Sequence, residues 1–470
     1  MDHRDVYLNY VSGQWKQGSS GQWDSNKNPA RPVELLGKAT RSTAVDVERA
    51  IESCERAQAD WACRPRPARG LLLAKCAGVL RAKAENYAKA LAREQGKNLT
   101  EARAEIQQTV AALEQATSLT RSTLGEVHSA EMPGQLDFSI RAPLGVVAII
   151  TSSAAPILEP ARKIAAALLE GNTVVFKPSG RVPGLAALLV RAFEEAGLPP
   201  GTLNLVFGPG ATLGPVLTAH PAVRAVSFSG TRENAHACLL ITEPRGARFE
   251  AETMKHGFLL VAASADLEAA ADAAARGVLE NSGQTRGTLK RIWVEGPAQE
   301  TFTRLLADKL RAARCGDGLA EPQAVGPLAS DTAFKAAMDT LADLKVADRP
   351  VLCGADRAGT TGPEAGYFVL PTLLAATSTE TTTLPMIIAP VAFLSNTENW
   401  RSAWQEARKD ARLEHGAIFT GNASEALTFA DTVGAPETLH INCIGTGHNS
   451  SGDTLPSVFF SQRTRVRLKA

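Results

Sequence analysis

No charge of either sign predominates in this sequence: 50 Lys and Arg are scattered among 49 Asp and Glu, for a formal net charge of +1. No basic stripe of the kind that holds nucleic acid stands out, so that class of partner is set aside. No apolar run approaches the ~20 residues that span a bilayer; the longer ones, 146–150 and 258–263, stop far short, and no membrane partner is expected. Met1-Asp2-His3-Arg4-Asp5 carries charge with no apolar core behind it, unlike a secretory signal. The seven cysteines are odd in number and form no close pairs, which argues against a disulfide framework and a zinc site and for reduced thiols in a cytoplasmic protein without a metal. Repeats and low-complexity tracts are missing too. What is present is a globular composition, 44% hydrophobic over 470 residues, enough for two or three domains.

The apolar pattern sets out the elements in order. Short β segments broken by turn residues over 8–24 suggest an opening hairpin. A hydroxyl-capped helix starts after Ser42-Thr43, with Val45, Val47, Ala50, Ile51 and Cys54 at helical spacing and Trp61 near its end. Longer helices are expected over 68–95 and 99–118, punctuated by Gly96-Lys97-Asn98. Cys54, Cys63 and Cys76 fall in this region and read as buried or half-buried thiols. Residues 136–141 alternate as a half-exposed strand. Strands at 146–151, 173–176, 203–207 and 225–228 then alternate with helices at 156–169, 183–196 and after Gly210. Such a series specifies a parallel, doubly wound sheet with ligands at the carboxyl ends of its strands. A helix runs from Thr231 to about 242; a stretch at 250–261 follows, then an Ala-rich helix over 266–279 capped by Ser264. A second α/β alternation fills 292 to about 440, with helices at 298–313 and 333–344 and strands near 351–352 and 417–419. The Gly- and Ser-rich segment 445–453 leads to a closing strand, 464–469, able to pair with 136–141.

Several motifs recur in a telling order: Pro143-Leu144-Gly145-Val146-Val147, Lys163-Ile164-Ala165, Gly171-Asn172-Thr173 through Lys177-Pro178-Ser179, Glu195-Ala196-Gly197-Leu198-Pro199, Ser227-Phe228-Ser229-Gly230-Thr231, Glu252, and Asn281-Ser282-Gly283-Gln284-Thr285-Arg286. Over nearly the whole chain this order resembles the aldehyde dehydrogenase family, and most of all semialdehyde dehydrogenases such as those acting on ketoglutarate semialdehyde. The resemblance implies an α/β fold with a doubly wound, Rossmann-like cofactor unit (1–123 and 143–253), a second α/β unit of catalytic type (254–445) and a small β arm (124–142 and 454–470). It also implies a homo-oligomer, dimer or tetramer, or assembly with an active paralogue, and a small aldehyde or acid as ligand.

On the cofactor side, Lys177 at a strand end can donate to ribose hydroxyls. The backbone around Gly210 can approach a nucleotide closely, and Ser229-Gly230-Thr231 opens a helix whose N-terminus favours a pyrophosphate. Thr151, Ser179 and Phe228 belong to the same strand ends. Each is also compatible with an ordinary β-to-α turn. The family's ribose-gripping acid after Lys-Pro-Ser is Gly180 here, followed by Arg181, which tolerates a 2′-phosphate, so NAD and NADP are both expected as possible cofactors. Ala235 replaces a glycine, and Met386 stands where a carboxylate would hold the second ribose, which weakens the site.

The reaction side departs further. An Asn-x-Gly-Gln-x-Cys loop supplies the family's nucleophile, and Arg286 occupies that position. Guanidinium is a permanent cation with donors only and cannot attack a carbonyl. Ala154 replaces the oxyanion-stabilising asparagine, a loss worth ~100- to 1,000-fold in rate. Glu252 alone keeps its place, as general base. Ser282, Thr285 and Thr288 carry hydroxyls near the loop but have no adjacent base other than Glu252. Cys238 and Cys443 lie off the loop and read as buried structural thiols. Arg286 either turns inward to pair with Glu252 or outward into solvent; pairing is expected, since an unpartnered carboxylate in a dry tunnel is costly. The sequence therefore predicts a family member impaired in aldehyde oxidation that binds a ligand or partner, with an active semialdehyde oxidoreductase, a non-redox catalyst using Glu252, or a structural subunit as alternatives.

Overall fold

Two seven-stranded sheets carry most of the chain in the computed structural model, which describes residues 5–122, 125–129, 132–133, 135–320, 325–359, 362, 365–377, 380, 382–431, 438–444 and 459–469. The first is parallel through Arg248–Thr253, Val223–Gly230, Val146–Ile150, Thr173–Lys177 and Leu203–Leu205, and an antiparallel hairpin, Asn9–Val11 and Gln14–Lys16, extends it. Every residue of Val146–Ile150 and Thr173–Lys177 is buried, because helices cover both faces and the strands become continuous apolar runs. Val147, Ile149, Val174 and Phe176 pack toward Leu168, Leu189 and Leu80. Val146, Ala148, Ile150 and Val175 face the other way, toward Val47, Ile51 and Leu213. Strand order reverses between Val146–Ile150 and Val223–Gly230, and the crevice beyond their carboxyl ends is the place for a ligand.

The second sheet runs Val351–Cys353, Thr372–Ala376, Val391–Thr397, Leu289–Glu295, His256–Val261, Leu413–Phe419 and Thr438–Ile441, parallel except for its first strand. A three-stranded sheet stands apart, in which Ser461–Lys469 pairs antiparallel along the full length of Gln135–Pro143. The α/β class read from the sequence is what forms.

Local readings differ in instructive places. The helix expected over 68–95 is two, Arg66–Ala82 and Ala84–Glu94, divided at Lys83. No glycine or proline marks the break. The turn lets Glu94 accept from the backbone N–H of Gly184 and Leu185, each at 2.7 Å, at the start of Pro183–Glu195. The stretch 250–261 belongs to both large sheets, as Arg248–Thr253 and His256–Val261 with Met254-Lys255 crossing between them. Asp266, not Ser264, caps Leu267–Leu279, accepting from Glu268 and Ala269; the Ser264 hydroxyl accepts from the Gly421 backbone instead. Cys54 and Cys76 are buried, but Cys63 is exposed. The segment 445–453 lies outside the described residues. Among those described, no helix is long and apolar enough to cross a membrane.

Candidate active site

A cleft of ≈ 1620 Å³ opens between the carboxyl ends of the first sheet and the entry ends of strands in the second. It brings together candidate residues from both the cofactor and the reaction side. Thr151, Lys177, Ser179, Gly210, Phe228, Gly230 and Thr231 line one end, and Ala154, Glu252 and Arg286 line the other.

At the first end, Lys177 closes its strand, and burial pushes its ammonium down to about 8. Its Nζ donates to the Pro178 carbonyl at 2.9 Å. A Cβ on Gly210 would lie 3.7 Å from that ammonium, at ordinary contact distance, so Gly210 and Lys177 stand side by side at the cleft wall. The Thr231 hydroxyl caps Arg232–Thr242 by accepting from Asn234 N–H at 3.3 Å, and the remaining N–H groups of that first turn suit an anion. Gly180, Arg181 and Met386 also line the cleft, whereas Ala235 packs into the core beneath. Burial lowers the Arg181 guanidinium from its ordinary value. These groups fit the anionic backbone of a dinucleotide, with no carboxylate at 180 or 386 to receive ribose hydroxyls.

The loop at the other end is held in an unusual shape. Asn281, Ser282 and Gly283 have φ of 45°, 54° and 74°, a left-handed run that costs non-glycine residues free energy and needs outside support. Asn281 supplies much of it: its N–H donates to Glu101 (2.9 Å), its Oδ1 accepts from Gln95 (3.0 Å), and its Nδ2 reaches the Ala154 carbonyl and Thr285 Oγ1, both at 3.1 Å. Ser282 Oγ donates to the Gly326 carbonyl at 2.7 Å. At Gly283 a Cβ would sit 1.9 Å from the Ala389 carbonyl, so no other residue fits without moving backbone.

From this fixed loop Arg286 does not pair with Glu252, contrary to the expectation from the sequence. It forms a two-point pair with Glu414, Nε to Oε2 at 2.5 Å and the second amino group to Oε1. Lys255 Nζ joins the same Oε1 at 3.0 Å. The Glu414 side chain is only 2% exposed. Glu414 stands at the start of a strand that continues as the apolar run Ala417-Ile418-Phe419, which is the signal that could have pointed to it; a buried carboxylate needs a cation, and the nearest loop supplies one. The planar guanidinium fork satisfies both carboxylate oxygens of Glu414 at once.

Glu252 is instead joined by Lys163, whose Nζ lies 3.5 Å away and donates to Ser229 Oγ at 2.6 Å. Burial acts to raise the Glu252 carboxyl, but Lys163, Arg286 and Arg162 outweigh it and hold the group below the usual carboxylate value. Burial raises Glu159, with Lys163 opposing and Glu252 adding to the rise, and Ser152 Oγ donates to it at 2.9 Å. Lys163 was legible only as part of a motif, and Glu159 and Arg162 carried no signal of their own. Ala154 contributes backbone alone, its carbonyl accepting from Asn281 and its N–H donating to Ser152.

The nearby hydroxyls are engaged elsewhere: Thr288 Oγ1 donates to the Thr285 carbonyl at 2.5 Å, and Thr285 Oγ1 accepts from Asn281. Cys238 lines the cofactor end, buried, with its thiol pushed up by desolvation. Cys443 is exposed, not buried. No described hydrogen bond joins a cysteine sulfur to Glu252, and no group of His, Cys, Asp and Glu among the described residues could hold a metal.

Known proteins resemble this chain along its length. The sequence model of the aldehyde dehydrogenase family matches residues 15–453. An alpha-ketoglutaric semialdehyde dehydrogenase of Bacillus subtilis (strain 168) is 32% identical over 436 residues, 93% of this chain and 89% of that protein. The alpha-ketoglutarate semialdehyde dehydrogenase of Haloferax volcanii is 30% identical over 369 residues, 78% of this chain and 76% of its own. Among solved structures, a 3,6-anhydro-L-galactose dehydrogenase in complex with NAP superposes with a TM-score of 0.92 at 25% identity, covering 99% of this chain and 100% of that one. An NAD-dependent aldehyde dehydrogenase from Sinorhizobium meliloti gives 0.91 at 26% identity, with 99% and 95% covered.

Proposed function

This chain belongs to the aldehyde dehydrogenase family, and we propose that it is a member that binds a nicotinamide dinucleotide and a small organic ligand without oxidising an aldehyde. The observation that carries this reading is the state of Arg286. It stands at the loop position where acyl transfer needs a thiolate, and its guanidinium is already committed to Glu414. Ala154 offers no side-chain donor to a developing oxyanion, and Glu252, ionised beside Lys163, has no acyl-enzyme to hydrolyse.

A bound dinucleotide supplies a hydride acceptor. Lys177, the helix start at Gly210 and the capped helix start at Thr231 are the groups that would hold its phosphates and adenosine ribose. The missing carboxylates at Gly180 and Met386 favour weakened binding, with Arg181 making NADP as acceptable as NAD. In this reading 1–123 with 143–253 is the dinucleotide unit and 254–445 the former reaction unit. The three-stranded sheet that includes Gln135–Pro143 and Ser461–Lys469 serves subunit contact in a homo-oligomer.

A thermal-shift titration tests it, since a ligand bound by the folded state alone raises its midpoint. NAD or NADP should raise the midpoint while a semialdehyde added with either yields no reduced nicotinamide. Aldehyde-dependent reduction would overturn the proposal. One observation favours a second reading: Glu159 is raised and Glu252 lowered within one cleft, the pattern of an acid and a base in non-redox catalysis. That reading requires a turnover that Glu252→Gln abolishes.

A further inference from the structure

We propose that a small buried chamber beside the cleft is a site for one inorganic anion the size of chloride, held by His256 and Lys290. The chamber, ≈ 10 Å³, lies among His256, Lys290, Arg291, Asp410 and Arg412, and offers about the space of a single water-sized ligand. Ile387 and Arg412 line both the chamber and the cleft, so the two share a wall. His256 is only 6% exposed, and neither of its ring nitrogens meets a protein partner. A buried imidazole left so is costly. The chamber it lines is the room for a ligand that would satisfy it.

The surrounding groups select an anion over water. A water molecule needs acceptors for its two hydrogens, and the carboxylate on the chamber wall is already engaged: Asp410 accepts from the Arg412 side chain at Oδ1 and Oδ2, each at 2.7 Å, and from the Arg412 backbone N–H at 3.0 Å. Lys290 gives one N–H to the Ala389 carbonyl and, as an ammonium, has two more to offer a ligand. The described charges run the same way over every element packed here. Lys290, Arg291 and Arg412, with Arg349 beyond them, are matched by two carboxylates, Asp410 and Glu380. Glu414, further along the strand that Leu413 opens, is met by both Arg286 and Lys255. Burial and the neighbouring cations Lys290, Arg412 and Arg291 lower His256 well below its ordinary value, and burial brings Lys290 down to about 7. An anion in the chamber would meet both donors and offset the gathered positive charge.

The test uses the full chain in two ways. Crystals soaked in sodium bromide should show an anomalous scattering peak in the chamber, within hydrogen-bonding reach of a His256 ring nitrogen and of Lys290 Nζ. In solution, chloride or bromide exchanged for methanesulfonate at constant ionic strength should raise the denaturation midpoint, by roughly 1–3 °C for each tenfold rise in halide above its dissociation constant. His256→Phe, which fills the chamber and removes both ring nitrogens, and Lys290→Met, which removes the cation, should each abolish that rise wherever the variant folds. The bromide experiment needs neither variant, so the proposal stays open to refutation if both fail to fold. A chamber that holds water and no bromide, a midpoint indifferent to halide, or a halide response kept in folded His256→Phe would overturn it.

Discussion

The two ends of one cleft are built in different ways. At the cofactor end the features that matter are set by the backbone: a helix start at Gly210 beside Lys177, a hydroxyl that caps a helix, and strand ends at a reversal of sheet order. At the reaction end the backbone is held as firmly, with three successive left-handed residues held by Glu101, Gln95 and Gly326, and the charged side chains are joined in pairs. Arg286 joins Glu414 and Lys163 joins Glu252. In the proposed reading the fold keeps the frame of a chemical site while ion pairs stand in place of its reactive atoms, because frame and reactive group are set by different residues.

That contrast can be broken or sharpened by substitution. Removing one member of a buried pair costs about 3–5 kcal/mol, whereas replacing both with apolar residues is often near neutral. Arg286→Ala should therefore lower the denaturation midpoint strongly, with Lys255 offsetting part of the loss. Arg286→Leu with Glu414→Leu should lie close to the parent, and a double-mutant cycle measures the coupling. If the single change is silent, the pair does not hold the loop. Gly283→Ala should cost about 3 kcal/mol or more, since it adds left-handed strain and a clash with the Ala389 carbonyl; an unchanged unfolding curve would show that the loop is looser than its geometry.

At the other end, Lys177→Ala should weaken NAD and NADP about tenfold, the loss of one charge-assisted contact, with little effect on stability. Equal affinity in calorimetry would remove Lys177 from the site. The smallest effect concerns Glu101, whose carboxyl burial pushes up to about 7. An acid raised in the fold contributes stability that is full below its solution value and is lost as pH rises to about 7. Relative to Glu101→Gln, the parent should lose stability between about pH 4.5 and 7; parallel profiles would show that the carboxyl is not linked to folding.

Much of this was legible in the sequence, and for a physical reason. Buried parallel strands such as Val146–Ile150 are continuous apolar runs, and the glycine and hydroxyl signals at their ends are local. The break at Lys83 and the passage of Met254-Lys255 between sheets were not legible, because tertiary packing rather than local propensity fixes them. Arg286 at the expected nucleophile position could be seen; its partner could not. Glu414 is 128 positions away, and a lone acid in a strand gives no hint of which cation it will meet.

In the proposed reading the bond-forming groups and two ribose-gripping carboxylates are missing from an otherwise kept frame, and Arg286 and Glu414 act as a pair. The most direct measurement is aldehyde-dependent reduction of NAD and NADP by three forms: the parent, Arg286→Cys alone, and Arg286→Cys with Ala154→Asn and Glu414→Leu. The prediction is no reduction by the parent, little by the single variant, whose new thiol would sit beside a buried carboxylate, and measurable reduction by the triple variant. Turnover by the parent, or a single variant as active as the triple, would contradict it.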